Sequence, residues 1–373
     1  MTPRITVLVP TYDRAEYLAE CLDSLFAQSI VPSQVIVVND GSTDRTLEVL
    51  KSYRGRIDYL ETPQGGKSVS INRGLEIVNG DYLWIFDDDD VALPDALERF
   101  VTPLEKEPRY GFSYSTYYFT ATKPGSRLIG RVLFEEKKPD LKKRGFLIPL
   151  LESNTLGGAA LFARMSCYRA TGMFDPALVR SQDYDMAIRI ARRFEGVSVA
   201  GGATFHYRQH RGDRGNHQDR FKAELQRKKW WEYDQMIFRR LYAELALADY
   251  LPPGARLEGR EREAVLQRLT VMATKLLVPE TLKDLQELSR MADDRPFTEN
   301  ERFLLSSLAD PPYYRMGSFL DDRPFLKTFR ELAAASPVIA RLKKEIRKAL
   351  LASLWKRDRR TRRMDAIKHL VSL

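Results

Sequence analysis

The stretch WIFDDDDVALP, residues 84–94, carries an apolar run directly into four consecutive carboxylates, Asp87 to Asp90, with a proline shortly after. The apolar part reads as a buried strand, and the acids stand where that strand ends. Four adjacent acids repel one another, so their pKa values rise or the fold weakens unless a cation or strong donors compensate. The blander reading is a solvated turn in which Asp90 or a neighbour caps the helix that LPDALERF begins.

Working outward, three more apolar runs precede this one: ITVLVP (5–10), QVIVVND (34–40) and IDYLE (57–61). Helically spaced polar segments, 14–28, 43–53 and 67–78, lie between them. Alternating β and α units of this length predict a parallel sheet with helices on both faces. Such sheets bind ligands beyond the carboxyl ends of their strands. Three of the four strand ends carry polar clusters: PTYDR after the first, NDGSTD after the second and DDDD after the fourth. The acids therefore sit on the rim where a ligand is expected, which favours a divalent metal over a solvated turn. Oxygen-only ligands suit Mg²⁺ or Mn²⁺, and sites of this kind leave positions to water and substrate phosphates. A phosphate-bearing substrate is implied.

Two competing phosphate motifs fail. ETPQGGKS (61–68) ends like a P-loop, but Glu61 stands where the first glycine is required. No GxGxxG follows the first strand, where VPTYDRAEYL is found instead.

Five pieces in order carry a family resemblance: VLVPTYDRAEYLAECLDSL (7–25), VIVVNDGSTDRT (35–46), GGKSVSINRGL (65–75), GDYLWIFDDDDVALPDAL (80–97) and GMFDPALVRSQDYDMAIRIA (172–191). Over about residues 4–215 the chain resembles the family-2 glycosyltransferases, inverting enzymes of the GT-A fold. The resemblance implies a mostly parallel, Rossmann-like central sheet that binds a nucleotide-sugar donor, a UDP-sugar being the preferred guess, with Mn²⁺ or Mg²⁺ as cofactor. Pro10, Thr11 and Tyr12 would line the nucleotide pocket, and Asp40 would accept from the base. A carboxylate accepting from a uracil or guanine N–H is chemically sensible, while the bland role for Asp40 is a turn residue bonding its own backbone.

In the acidic motif the resemblance makes Asp89 the metal ligand, Asp87 a contact to the ribose or the metal's water shell, Asp88 the variable position and Asp90 a support for the turn. Four identical residues conceal a one-residue shift of register, which would make Asp88 the ligand. Lys67 and Asn72 match a further nucleotide-binding pattern. Other members have an arginine where this chain has Ile71, so Lys67 and a helix N-terminus would serve the diphosphate here. Lys67 as a solvated helix lysine is the alternative. In the second acidic motif, Gln182-Asp183, Asp183 is the expected catalytic base, with Asp185 nearby as the alternative. His210, in the segment FHYRQHRGDRGNH, is expected to ligate the metal or touch the diphosphate. The crowding of His206, His210 and His217 there does not make a zinc site, because no HExxH glutamate accompanies them.

The composition, 373 residues with 43% hydrophobic and 30% charged, is that of an ordinary soluble protein. Cys21 and Cys167 are too few for a disulfide framework, which suits a reducing cytoplasm. No apolar run approaches the roughly 20 residues of a membrane span, and no secretory leader is evident at the N-terminus.

The expected organisation is a catalytic domain over 1–215, an α-helical extension over 216–337 and a basic amphipathic tail over 338–373. The extension begins with a long helix at 219–245 and continues with helical segments near 257–277, 279–291 and 298–308. The tail holds twelve Lys or Arg against three acids, an excess equal to the whole net charge of +9. Its apolar positions Ile339, Leu342, Ile346, Leu350 and Leu354 recur at helical spacing. That composition suits a helix lying on an anionic membrane surface, or one docked on the protein with a solvated basic face. Nucleic acid is not an expected partner, because no aromatics interleave the basic run. The expected function is transfer of a sugar with inversion to a glycan or lipid-linked acceptor, as in surface polysaccharide synthesis, by a cytoplasmic protein peripheral to the inner face of the membrane. The rivals are a nucleotidyltransferase of related architecture, which usually has a glycine-rich basic loop after the first strand, and a catalytically silent membrane-surface scaffold.

Overall fold

The computed structural model describes residues 3–123, 126, 128–136, 144–154, 156–209, 225–291, 293, 295–308 and 321–355. The chain divides into two compact units, one of residues 1–140 with 154–233 and the other of 141–153 with 234–373.

The first unit is built on the four expected strands, β1 (Ile5–Thr11), β2 (Gln34–Asn39), β3 (Asp58–Glu61) and β4 (Tyr82–Ile85). They pair in parallel, with Val7 opposite Val35, Leu8 opposite both Ile36 and Ile85, and Val37 opposite Tyr59. Every residue of β1, β2 and β4 is buried, which is why these strands read as continuous apolar runs. At the edge, β3 is largely exposed and correspondingly polar. The crossovers are α1 (Ala15–Phe26), α2 (Thr46–Ser52) and α3 (Lys67–Leu75). Helix α1 buries Tyr17, Leu18, Cys21, Leu22 and Leu25, one face at helical spacing. Helix α3 packs so close to β1 that a Cβ on Gly74 would fall 2.3 Å from Leu8 Cδ1.

Beyond β4 the sheet becomes mixed. Strand β8 (Leu161–Arg164) pairs antiparallel with β4, β6 (Tyr110–Thr122) antiparallel with β8, and β9 (Glu195–Gln209) parallel with β6. The two-residue β5 (Val91–Ala92) pairs antiparallel with β9, and β7 (Ile129–Glu135) with the far half of β6. The order is β3-β2-β1-β4-β8-β6-β9-β5, with β7 off this path. An aromatic core locks β4 to its neighbours: Trp84 lies 4.5 Å from Phe86 and 5.4 Å from Phe100, ring to ring. Trp84 Nε1 donates to the Ala159 carbonyl at 2.8 Å, so the buried indole is satisfied. The β5–β9 pair draws the acidic stretch back against β9, which positions the site described below.

The second unit is helical. It comprises α5 (Leu147–Glu152), the part of α8 (Gln226–Glu244) from Asp234 onward, α9 (Glu261–Thr274), α10 (Val278–Arg290), α11 (Glu299–Ser307), α12 (Arg323–Ala335) and α13 (Pro337–Trp355). Its core joins Leu266, Leu269, Leu285, Leu288, Phe325 and Phe329 to residues of α13. Thr298 and Glu301 form a capping box at the start of α11. Glu301 also accepts two hydrogen bonds from Arg262, each 2.8 Å, and both side chains are 4% exposed.

Helix α13 takes the second of the two arrangements its sequence allows, docked on the protein. Its stripe Ile339, Leu342, Ile346 and Leu350 is 0–2% exposed and packed into the helical core. That apolar face is therefore spent on folding and is not presented to a lipid surface, whereas Lys344, Arg347 and Lys348 are exposed. Residues 356–373, the rest of the expected tail, lie outside the described residues. No helix among the described residues is long and apolar enough to cross a membrane.

Candidate active site

Three loops meet at the carboxyl ends of β1, β2 and β4. After β1 the chain turns at Asp13, a non-glycine residue with φ of 50°. The strain is compensated locally: Asp13 Oδ1 accepts from the backbone N–H of Thr43 at 2.7 Å, and Asp44 accepts from that of Ala15 at 3.1 Å. The loops after β1 and β2 are thereby tied together, with Pro10, Thr11 and Tyr12 on the cavity wall.

Asp40 ends β2 with 4% exposure. Its carboxylate accepts from the backbone N–H of Gly65 at 2.9 Å and of Gly66 at 2.8 Å. Gly66 caps α3 with φ of 91°, a left-handed conformation that glycine adopts readily. Asp40 thus organises the neighbouring loop rather than its own turn. It also lines the cavity, and each carboxylate oxygen has a second lone pair for a ligand.

Asp87, Asp89 and Asp90 bring carboxylate oxygens within 4.8 Å of one another. Asp90 Oδ1 accepts from the backbone N–H of Arg208 at 3.0 Å, and its Oδ2 is buried without a hydrogen-bond partner. Burial, then Asp89 and Asp87, push the Asp90 carboxyl well above its ordinary range. Asp88 lies beside Thr11 and outside this cluster; burial and then Asp89 raise its carboxyl as well. An orphaned buried oxygen among three mutually repelling carboxylates fits a hard divalent cation.

Lys67, at the first position of α3, forms an ion pair with Asp87. Burial alone would lower the Lys67 ammonium, but Asp87, then Asp183 and Asp89, outweigh it and hold the group above its usual value. Arg14 reaches to 4.0 Å from Asp89 Oδ2 and lines the same cavity, as do Arg180 and Tyr207.

Asp183 sits in the first turn of α7 (Gln182–Ala191), after Ser181 in a left-handed cap conformation. A Cβ on Gly158 would lie 3.3 Å from Asp183 Oδ2, so that glycine leaves room beside the carboxylate. Burial raises the Asp183 pKa, Lys67 opposes the shift and Asp87 adds to it. Asp183 lines a second cavity that shares Lys67, Asp87 and Gln182 with the first. Asp185, the alternative, is 1% exposed and engaged by Arg189 at 2.9 Å, and it lines neither of these two cavities.

The structure therefore gathers Pro10, Thr11, Tyr12, Asp40, Lys67 and Asp87 to Asp89 around one cavity, with Asp183 on the adjoining one. Asn72 is not among them. Its amide donates to the Phe174 carbonyl and accepts from the Phe174 N–H, both at 2.8 Å, a clasp between α3 and the segment before α7. His210 lies outside the described residues. His206 is described and bonds Thr120 Oγ1 at 3.0 Å, and it is not a member of the acidic cluster. The sequence reading missed Arg14 and Arg180 as cavity cations and Asp90 as a member of the cluster. Their position inside the PTYDR, VRSQD and DDDD segments was the available signal.

Residues 6–169 match the family described as Glycosyl transferase family 2. An uncharacterised glycosyltransferase of Rickettsia typhi is 29% identical over 203 residues, which are 51% of this chain and 59% of that protein. One from Rickettsia prowazekii is 30% identical over 194 residues with the same two shares. The matched part thus spans somewhat more than half the length of these curated relatives. Among solved structures, S. aureus TarS 1–349 in complex with UDP-GlcNAc superposes with a TM-score of 0.51 at 17% identity, covering 98% of this chain and 89% of that one. That likeness is one of fold, the GT-A fold, and the match over residues 6–169, somewhat less than half of this chain, is to glycosyltransferase family 2.

Proposed function

We propose that the protein transfers a sugar from a nucleoside-diphosphate donor, preferably a UDP-sugar, to a hydroxyl of a glycan or lipid-linked acceptor, with inversion at the anomeric carbon. The observation that carries this reading is the pair of adjoining cavities. One is rimmed by the acidic run and by cations, the other holds a buried carboxylate, and Lys67, Asp87 and Gln182 wall both.

The nucleotide would lie in the first cavity, with its base toward Asp40 and its diphosphate toward Lys67 and Arg14. Asp87, Asp89 and Asp90 would hold Mg²⁺ or Mn²⁺, which when bound supplies positive charge to the departing diphosphate. Asp183 would accept the proton of the acceptor hydroxyl as its oxygen bonds to the anomeric carbon. The bond from that carbon to the diphosphate breaks on the opposite face, and the diphosphate leaves with the electron pair. An α-linked donor would give a β-linked product. A raised pKa suits Asp183 to this work, since a base closer to neutral takes the proton with a better driving force.

The test is thermal-shift screening against UDP, GDP, CMP and dTDP with and without Mn²⁺, followed by transfer assays with the sugars of whichever nucleotide binds. Metal-dependent stabilisation by one nucleoside diphosphate, lost in Asp89→Ala, is expected. No stabilisation by any of them would sink the reading.

A further inference from the structure

The guanidinium of Arg208 on β9 is 0% exposed, beside the acidic run. Its Nε donates to the backbone carbonyl of Asp89 at 2.5 Å and its backbone N–H to Asp90 Oδ1 at 3.0 Å. One residue therefore grips the Asp89–Asp90 turn at two points, through a carbonyl and through a carboxylate of the candidate metal cluster.

A buried cation in that position raises a difficulty. It would offset the negative charge that a divalent ion needs, and a bare buried guanidinium is itself costly. Both problems are met from α1. Arg208 Nη2 forms an ion pair with Glu20 Oε2 at 2.6 Å. Glu20 is fixed in turn by the backbone N–H of Ile129, which lies 3.1 Å from each of its oxygens. The Tyr17 ring, one turn earlier on α1, lies 5.1 Å from the Arg208 guanidinium and 5.7 Å from that of Arg14. The acidic turn is thus held from outside by an arginine whose own charge is neutralised by a glutamate 188 residues away in sequence.

We infer that Glu20 and Arg208 are positioning residues of the acidic site: Arg208 sets the geometry of Asp89 and Asp90, and Glu20 keeps Arg208 oriented and neutralised so that the carboxylates retain affinity for a divalent cation. Neither is a ligand or a catalytic group. Partners of this kind around metal ligands typically change affinity by 10–100-fold when altered. The inference rests on the metal-dependent reading above.

The test measures Mn²⁺ affinity directly, by electron paramagnetic resonance or calorimetry, on the full chain and on Glu20→Gln, Arg208→Lys and the double variant. Glu20→Gln is expected to weaken Mn²⁺ about tenfold. In the Arg208→Lys background it should add less than about twofold, because Glu20 acts through Arg208. Glu16→Gln, on the exposed side of the same helix, controls for loss of one negative charge and should leave the affinity within about twofold. Additive effects, or an unchanged affinity in Glu20→Gln, would overturn the inference while leaving metal binding intact. If the unaltered protein takes up no Mn²⁺, the metal-dependent reading fails and this inference falls with it. Glu20→Gln alone decides the matter should Arg208→Lys not fold.

Discussion

The side-chain amide of Asn72 closes on the backbone of Phe174 from both directions, donating to its carbonyl and accepting from its N–H at 2.8 Å each. The pattern in which Asn72 stands suggested a nucleotide contact, whereas its geometry is that of a clasp between segments 102 residues apart. Asn72→Ala should therefore cost about 1–3 kcal/mol of stability, the penalty for leaving partly buried backbone groups unpaired. Thermal denaturation checks the loss, and the Kd for a stabilising nucleoside diphosphate should change by less than about twofold in the folded variant.

Asp183→Asn is expected to lower kcat by about 10²–10⁴-fold, the usual contribution of a positioned base, with donor affinity within a few-fold. A kcat within tenfold of the parent would remove Asp183 from the role.

The pH profile follows from the same carboxylate. As a base Asp183 works when ionised, so activity is lost as pH falls through its pKa. Burial raises that pKa, so the acidic limb should lie above the ordinary aspartate range. Lys67 opposes the shift, so Lys67→Met should move the limb to still higher pH. A limb that stays in place or moves down in Lys67→Met contradicts this electrostatic coupling.

In the helical unit, Arg262 and Glu301 form a buried, doubly hydrogen-bonded pair. Glu301→Ala leaves Asp293, 3.0 Å from Arg262 Nη1, as the guanidinium's remaining carboxylate partner, so it should destabilise by about 3 kcal/mol, the lower end of the range measured for broken buried pairs. Because Glu301 also completes the cap with Thr298, denaturant unfolding should show a larger effect than Thr298→Ala, which loses about 1 kcal/mol.

The amino-acid sequence by itself determined the presence and parallel direction of β1 to β4, because the strands β1, β2 and β4, buried on both faces, must be apolar throughout and the crossovers between parallel strands must be helices long enough to return. It also determined that the acidic run ends a strand, and it singled out Asp183 by pattern. The partner of each side chain was decided only by the tertiary structure. Asp40 could have bonded its own turn, and it is the approach of α3 that gives it Gly65 and Gly66 instead. Which aspartates converge depended on the twist of a turn held by Arg208, 118 residues from the Asp90 carboxylate that its backbone N–H holds. The apolar stripe of α13 required a surface to cover it, and helical periodicity cannot distinguish a lipid interface from the core formed by α9 to α12. Periodicity reports that a face is buried; only the assembled fold supplies what buries it.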